Sequence, residues 1–178
     1  MHGANLVTGL RVVLTPVFVA ALCAADHTGV GVLAVFLFAV IATSDVLDGR
    51  IARRSGTESS AGRTFDHFAD ICFLLTALST YAALGTAPWW VPAAVGGSFA
   101  AYVVDSWVRN GHGGGGLIGS RIGHAAGMLN YTLVGILVCN NTAGIGALSP
   151  GALRKLFWLV PIYSALAVIA RLGGRLPQ

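Results

Sequence analysis

The chain has 178 residues, of which 55% are hydrophobic and only 10% charged, and its mean hydropathy is +0.74. Soluble domains usually carry about 25% charged residues, so the composition argues against a soluble protein and predicts an integral membrane protein. A net charge of +4 does not by itself indicate nucleic-acid binding, and we expect no nucleic-acid partner. An odd number of scattered cysteines argues against a disulfide framework or a zinc site.

Apolar segments follow one another along the chain, and each is long enough to cross a membrane as a helix. We predict spans at about residues 6–25, 30–52, 62–84, 89–109, 118–139 and 153–172. They would form one all-α domain over residues 1–178, a bundle of six transmembrane helices.

The first segment is interrupted by Arg11 and Pro16, so we do not expect a cleaved signal peptide there. Arg11 is either an anchor at the membrane interface or a residue that reaches a nucleotide site, and the sequence leaves both open. In the fifth segment Gly119, Gly123 and Gly127 repeat every four residues. This pattern allows close helix packing, either within the chain or between two copies of it.

Most of the acidic residues lie where the second segment ends and the third begins. Asp45 and Asp48 are three residues apart, and Asp66 and Asp70 are four apart, so on helices each pair projects from one face. A carboxylate near hydrocarbon is costly, so this cluster requires a functional cause. Two facing carboxylate pairs would form an all-oxygen site for a hard cation, Mg²⁺ or Mn²⁺.

Four arginines accompany the carboxylates, and guanidinium groups suit phosphate because they bind it through two hydrogen bonds. These are Arg50, Arg53, Arg54 and Arg63. Divalent metal, phosphate and apolar surroundings together favour phosphoryl-type transfer on a lipid.

The same stretch resembles the signature of the CDP-alcohol phosphatidyltransferase family, D-x2-D-G-x2-A-R-x8-G-x3-D-x3-D. All eight fixed residues are present over 26 positions. They are Asp45, Asp48, Gly49, Ala52, Arg53, Gly62, Asp66 and Asp70. The run from Asn5 to Pro16 also looks like the start of the family's first membrane helix. The resemblance implies that a CDP-linked lipid, CDP-diacylglycerol, and an alcohol react to give a phosphodiester lipid and CMP.

Each signature residue acquires an expected role. We interpret Asp45, Asp48, Asp66 and Asp70 as ligands of a two-metal site, with Asp70 also the general base that takes the proton of the acceptor hydroxyl. The expected CDP-lipid-binding residues are Thr8, Gly49, Ala52, Arg53 and Gly62. His67 lies between two of the aspartates in sequence but off their face, so we interpret it as a bystander.

The acceptor needs a second cationic pocket if it is a phosphorylated alcohol. The candidates are Arg63, Arg109, Arg121 and His124. We expect glycerol 3-phosphate, with inositol phosphate or another alcohol as the alternative. Gly119 to His124 replace a lysine-rich run that is common in the glycerophosphate branch, and Ile71 replaces a frequent lysine. Asp105 either pairs with Arg109 one turn later or belongs to the acceptor pocket.

Lysine and arginine residues predict the orientation. With both termini in the cytoplasm, eight of them fall inside and two outside, so the carboxylates would face the cytoplasm, in a bacterial cytoplasmic membrane. The basic bias also fits contact with anionic membrane lipids. A homodimer is implied by the family resemblance. A membrane cation transporter is the alternative from another class, because intramembrane carboxylates also mark ion pathways.

Overall fold

A computed structural model describes the backbone of residues 3–24, 30–55, 60–111, 117–119, 121–142 and 148–173. It describes the side chains of the same residues except 3–8, 45–55, 60–61 and 63. The α-helices of these ranges are α1 Gly3–Cys23, α2 Val30–Ser55, α3 Ser60–Ala83, α4 Trp90–Arg109, α5 Arg121–Leu137 and α6 Pro150–Gly173. A short π-helix, Val138–Thr142, continues α5. No strand occurs in this part of the chain, so the prediction of an all-α protein with six helices is confirmed.

Two helix ends follow directly from local sequence. Pro150 opens α6, where its missing N–H costs no hydrogen bond, and the Ser149 hydroxyl accepts a hydrogen bond from the Ala152 N–H at 3.3 Å. After α3, Gly85 has a φ of +74° and its N–H bonds back to the Ala82 carbonyl at 3.1 Å. Glycine adopts this left-handed conformation without a steric penalty, so the chain can turn there.

The fifth helix departs from the predicted span at both ends. It begins at Arg121 instead of residue 118, and two preceding backbone N–H groups bond to side chains of other helices. Leu117 N–H donates to Thr64 Oγ1 at 3.3 Å, and Ile118 N–H donates to Ser106 Oγ at 3.1 Å. At its other end the π-helix extends the segment to Thr142, beyond the predicted residue 139.

Helix α3 contacts α1, α4 and α5, and α4 packs along α6. The core between α1, α2, α3 and α5 contains an aromatic cluster around Phe73. Its ring centroid lies 5.4 Å from that of Phe18, 6.4 Å from that of Phe38 and 5.7 Å from that of Tyr131. Aromatic pairs at such distances are favourable beyond the area that they bury. Phe73 therefore joins four segments that are distant in sequence.

Contacts between helix termini define one end of the bundle, which we call the polar end. Here Thr64 in the first turns of α3, Ser106 near the end of α4, Ile118 before α5 and Arg171 near the end of α6 are connected by hydrogen bonds. Successive helices α3 to α6 therefore alternate in direction. The charged side chains of the candidate site, described below, lie toward this end.

Two helical segments within the described ranges are long and apolar enough to cross a membrane, Arg121–Thr142 and Pro150–Gly173. Only 28% and 22% of their apolar windows are buried inside the protein, so most of these side chains face outward. A core helix of a soluble protein would be mostly buried. Shorter apolar helical stretches cover Gly9–Cys23 and Val30–Ser44. The structure thus supports a membrane protein, while six membrane spans remain a prediction.

Close packing of α5 is described at Gly135, which lies outside the predicted repeat. Among the described residues, a Cβ atom added at Gly119 or Gly127 would meet nothing within 4 Å, so the structure gives these two glycines no close-packing neighbour. A Cβ atom at Gly135 would lie 2.9 Å from Phe38 Cε1 and 3.2 Å from Phe38 Cζ. Gly135 therefore allows α5 to approach the α2 aromatic ring.

We predict that Gly135→Ala lowers the stability of the protein by about 1–3 kcal/mol, because Phe38 must leave its position against Phe73. Gly127→Ala is the matched control on the same helix, where alanine has open space and a better helix propensity. Thermal unfolding of both variants in detergent measures the effect. Equal melting temperatures for Gly135→Ala and the wild type would contradict the packing.

Candidate active site

The carboxylates of Asp66 and Asp70 lie one turn apart on α3, in its first half. Phe73 and Ala77 continue the same stripe of the helix and are fully buried. The side chains of Asp66 and Asp70 are 33% and 19% exposed, so the stripe changes from apolar core to partly solvated carboxylates toward the polar end. The four-residue spacing thus brings both carboxylates to one place, as predicted.

Arg11 of α1 is the cation between these carboxylates. Its side chain is 0% exposed, and its Nη1 lies 3.2 Å from Asp66 Oδ1 and in direct contact with Asp70 Oδ1. A buried guanidinium is stable only when it is paired, and here it is paired with two carboxylates. The alternative of an anchor at the membrane interface is therefore wrong, because the side chain points into the protein.

Tyr131 of α5 is a third element of this arrangement. Its hydroxyl donates a hydrogen bond to Asp70 Oδ1 at 2.7 Å, while its ring stacks on Phe73. The ring thus fixes the direction from which the hydroxyl approaches. The Asp70 carboxylate therefore contacts the charged guanidinium of Arg11 on α1 and the neutral hydroxyl of Tyr131 on α5.

Several predicted site residues fall outside the side chains that the structure describes. They are Thr8, Asp45, Asp48, Gly49, Ala52, Arg53 and Arg63. The backbone of residues 45–52 is helical within α2, as predicted, and the helix continues beyond the predicted limit to Ser55. Gly62 is described and lies half-buried in the first turn of α3. The placement of α2 carboxylates opposite those of α3 remains a prediction.

The described carboxylates fit a divalent metal in type. Asp66 and Asp70 supply oxygen ligands, which Mg²⁺ and Mn²⁺ prefer. No group of three His, Cys, Asp or Glu side chains converges within the described part of the chain. A complete ligand set would therefore need the α2 aspartates that the sequence predicts.

A pocket of about 310 Å³ opens at the polar end, between the ends of α4 and α6 and the start of α5. Its charged lining comes from three helices and consists of Asp105, Arg109, Arg121 and Arg171. The neighbouring backbone of Leu117 is hydrogen-bonded to Thr64, two residues before Asp66. The structure thus brings together Arg109 and Arg121, two of the predicted acceptor candidates.

Asp105 organises one wall of this pocket. It is only 3% exposed, and its carboxylate accepts hydrogen bonds from Arg109 Nε at 3.2 Å and from Arg171 Nη1 at 3.4 Å. The prediction of an Asp105–Arg109 pair is confirmed, and Asp105 also lines the pocket. Arg171 further donates to the Ile118 carbonyl at 3.3 Å and lies 4.0 Å above the Tyr102 ring.

Both histidine predictions concern side chains on exposed surfaces. His67 lies edge-on to the Tyr102 ring at 6.2 Å, and its interpretation as a bystander stays a prediction. His124 is exposed on α5 and is not among the described residues that line the pocket.

Sequence reasoning missed two side chains that complete these arrangements, Tyr131 and Arg171. A tyrosine hydroxyl inside an apolar segment needs a hydrogen-bond partner, which was an available signal for Tyr131. Arg171 belongs to the eight basic residues that the predicted orientation puts on the cytoplasmic side, and the sequence predicts no other role for it. Its predicted location on the same side as Arg109 was the signal that could have paired both arginines with Asp105.

Comparison with known proteins gives two kinds of match. The model of the CDP-alcohol phosphatidyltransferase family matches residues 1–170. A Mycobacterium tuberculosis protein named "Probable phosphatidylglycerophosphate synthase" is 38% identical over 90 residues, which cover 49% of this chain and 43% of the relative.

Two further relatives align over shorter shares of their length. A Treponema pallidum CDP-diacylglycerol–glycerol-3-phosphate 3-phosphatidyltransferase is 47% identical over 49 residues, 28% of this chain and 23% of the relative. A Mycobacterium bovis protein named "Putative cardiolipin synthase" is 33% identical over 86 residues, 48% of this chain and 40% of the relative. The aligned stretch thus spans less than half the length of each curated relative.

The family match is much longer than these alignments and includes the whole signature from Asp45 to Asp70. It also includes α1 with Arg11 and α5 with Tyr131. The chain therefore belongs to the CDP-alcohol phosphatidyltransferase family.

Proposed function

We propose that this protein transfers a phosphatidyl group from CDP-diacylglycerol to a hydroxyl of glycerol 3-phosphate and releases CMP, in phospholipid biosynthesis. The observation that carries the proposal is the convergence of the signature carboxylates Asp66 and Asp70 with Arg11 and Tyr131, in a bundle whose polar end also has a cationic pocket. The relatives named for glycerophosphate transfer support the same reaction.

Asp45, Asp48, Asp66 and Asp70 would hold the divalent metals on which the family generally depends. Bound there, Mg²⁺ or Mn²⁺ neutralises pyrophosphate oxygens and the departing CMP. Asp70 accepts the proton of the acceptor hydroxyl as that oxygen attacks the lipid-linked phosphorus. Arg11 and Tyr131 fix the orientation of the Asp70 carboxylate. Thr8, Gly49, Ala52, Arg53 and Gly62 would bind the CDP-lipid.

The lipid donor enters sideways from a membrane in this proposal, with its acyl chains left in hydrocarbon. Support comes from the outward-facing apolar side chains of α5 and α6. We propose six membrane spans with both termini and the polar end on the cytoplasmic side. Lysine and arginine residues support this orientation, since eight would lie inside and two outside.

The pocket at the polar end supports a small phosphorylated acceptor. Its charged lining has three arginines and one aspartate, a formal surplus of two positive charges. Such a surplus matches the phosphate of glycerol 3-phosphate, and a volume of about 310 Å³ is ample for this small molecule. Inositol phosphate has the same charged group and remains the alternative acceptor.

The cation transporter is disfavoured by the position of the carboxylates. A transporter would need them near the middle of the membrane, at discontinuous helices. Asp66 and Asp70 instead lie in the first half of α3, which is continuous, and pair with Arg11. A homodimer is part of the proposal through family resemblance, and the open space beside Gly119 and Gly127 is compatible with it.

We predict that Asp70→Asn lowers metal-dependent CMP release from CDP-diacylglycerol and glycerol 3-phosphate by about a hundredfold or more, because the amide cannot accept the proton. His67→Gln is the control, and it should leave CMP release unchanged. The assay uses purified protein in detergent with Mg²⁺ or Mn²⁺, and inositol 1-phosphate is tested in parallel. Full activity in Asp70→Asn would contradict Asp70 as the proton acceptor. Loss of activity in His67→Gln would contradict the interpretation of His67 as a bystander.

We predict that Arg121→Gln raises the KM for glycerol 3-phosphate by roughly tenfold to a hundredfold, because one charge-assisted hydrogen bond to phosphate is lost. The KM for CDP-diacylglycerol should remain unchanged. Arg154→Gln is the matched control, since it removes the same charge at the other end of α6, about 25 Å along the helix from Arg171 in the pocket. Equal KM values for glycerol 3-phosphate in both variants would exclude the pocket as the acceptor site.

A further inference from the structure

Arg11 is the most completely buried charge among the described side chains, and its partners are the carboxylates that would bind metal. It reaches them because α1 packs against α3 through one face. Phe18, seven residues after Arg11 and on the same face, contacts the ring of Phe73 at 5.4 Å. The guanidinium is therefore held at one position instead of moving on a flexible surface side chain.

The formal charges of this group are +1 for Arg11 and −1 each for Asp66 and Asp70. A single atom, Nη1, contacts an Oδ1 oxygen of both carboxylates. The Tyr131 hydroxyl adds a hydrogen bond to the same oxygen of Asp70 but no charge. Arg11 thus halves the negative charge that Asp66 and Asp70 offer to a metal ion, and its burial weakens the screening of this effect by salt.

We propose that Arg11 is a positioning residue that acts as the built-in counter-ion of the α3 carboxylates and lowers their affinity for divalent metal. A fixed positive charge repels a cation bound to the same oxygens. It also orients both carboxylates before the metal arrives. The inference rests on the proposed function, because it takes Asp66 and Asp70 as metal ligands.

The test measures Mn²⁺ binding directly, by the electron paramagnetic resonance signal of free Mn²⁺ in titrations of the purified full-length protein in detergent. Arg11→Met removes the charge and keeps a long side chain. We expect its dissociation constant for Mn²⁺ to fall by about tenfold or more, because like charges a few ångströms apart repel strongly where water is excluded. CMP release at saturating Mn²⁺ should fall, since the orientation of Asp70 is lost.

Arg11→Lys is the conservative variant. Because one nitrogen serves both carboxylates, a lysine ammonium can replace it, and the dissociation constant for Mn²⁺ should stay within about threefold of the wild type. Arg154→Met is the charge-matched control on an exposed part of α6, and it should not change Mn²⁺ binding. If Arg11→Met does not fold, Arg11→Gln takes its place, since it is neutral but can still donate hydrogen bonds.

Unchanged or weaker Mn²⁺ binding in a folded Arg11→Met or Arg11→Gln variant would overturn the inference and leave the proposed function intact. Tighter binding in Arg11→Lys that equals that of Arg11→Met would also overturn it, because the charge would then have no effect. Absence of Mn²⁺ binding and of CMP release in the wild type would instead refute the proposed function itself. Size-exclusion profiles and thermal unfolding identify the folded variants.

Discussion

The burial of one guanidinium constrains this structure more than any other single contact that it describes. Arg11 is 1% exposed, and an unpaired charge in such a place would cost several kcal/mol. Its partners lie 55 and 59 residues later in the chain, so α1 must dock on the first half of α3 with little freedom along its axis. Phe18 and Phe73 fix the same docking one layer deeper in the core. Once this pair of helices is fixed, the Tyr131 hydroxyl determines how α5 packs beside them.

Much of this architecture could be predicted, because it depends on patterns of residues that are close together in the sequence. The apolar segments gave helix limits within about three residues at most ends, and the spacing of Asp66 and Asp70 put both carboxylates on one face. The Asp105–Arg109 pair could also be predicted, since residues four apart on a helix are neighbours. These relations need only the geometry of a single helix.

The contacts that were missed connect different helices. Tyr131 reaches Asp70 across 61 residues, and Arg171 reaches Asp105 across 66. Helical periodicity says which side chains share a face but not which helix lies opposite. The glycine repeat illustrates the same limit: small residues recur at Gly119 and Gly127, but the close approach occurs at Gly135, because the bulky ring of Phe38 lies opposite it on α2. Residues of the signature on α2 lie outside the described side chains, so their part of the prediction stays open.

The directions of the helices at the pocket have a consequence for its electrostatics. Helices α4 and α6 both end there, and the Arg109 side chain bonds to the carbonyl of Arg171 at 3.0 Å, close to the last turn of α6. The aligned peptide dipoles make each helix C-terminus partially negative, about half an elementary charge, while α3 and α5 begin at this end of the bundle with the opposite sign. Among the described helices, these backbone contributions therefore oppose one another. Attraction of a phosphate then depends mainly on the arginine side chains, so the sign of the potential in this pocket is set by a few residues and can be reversed without any change of fold.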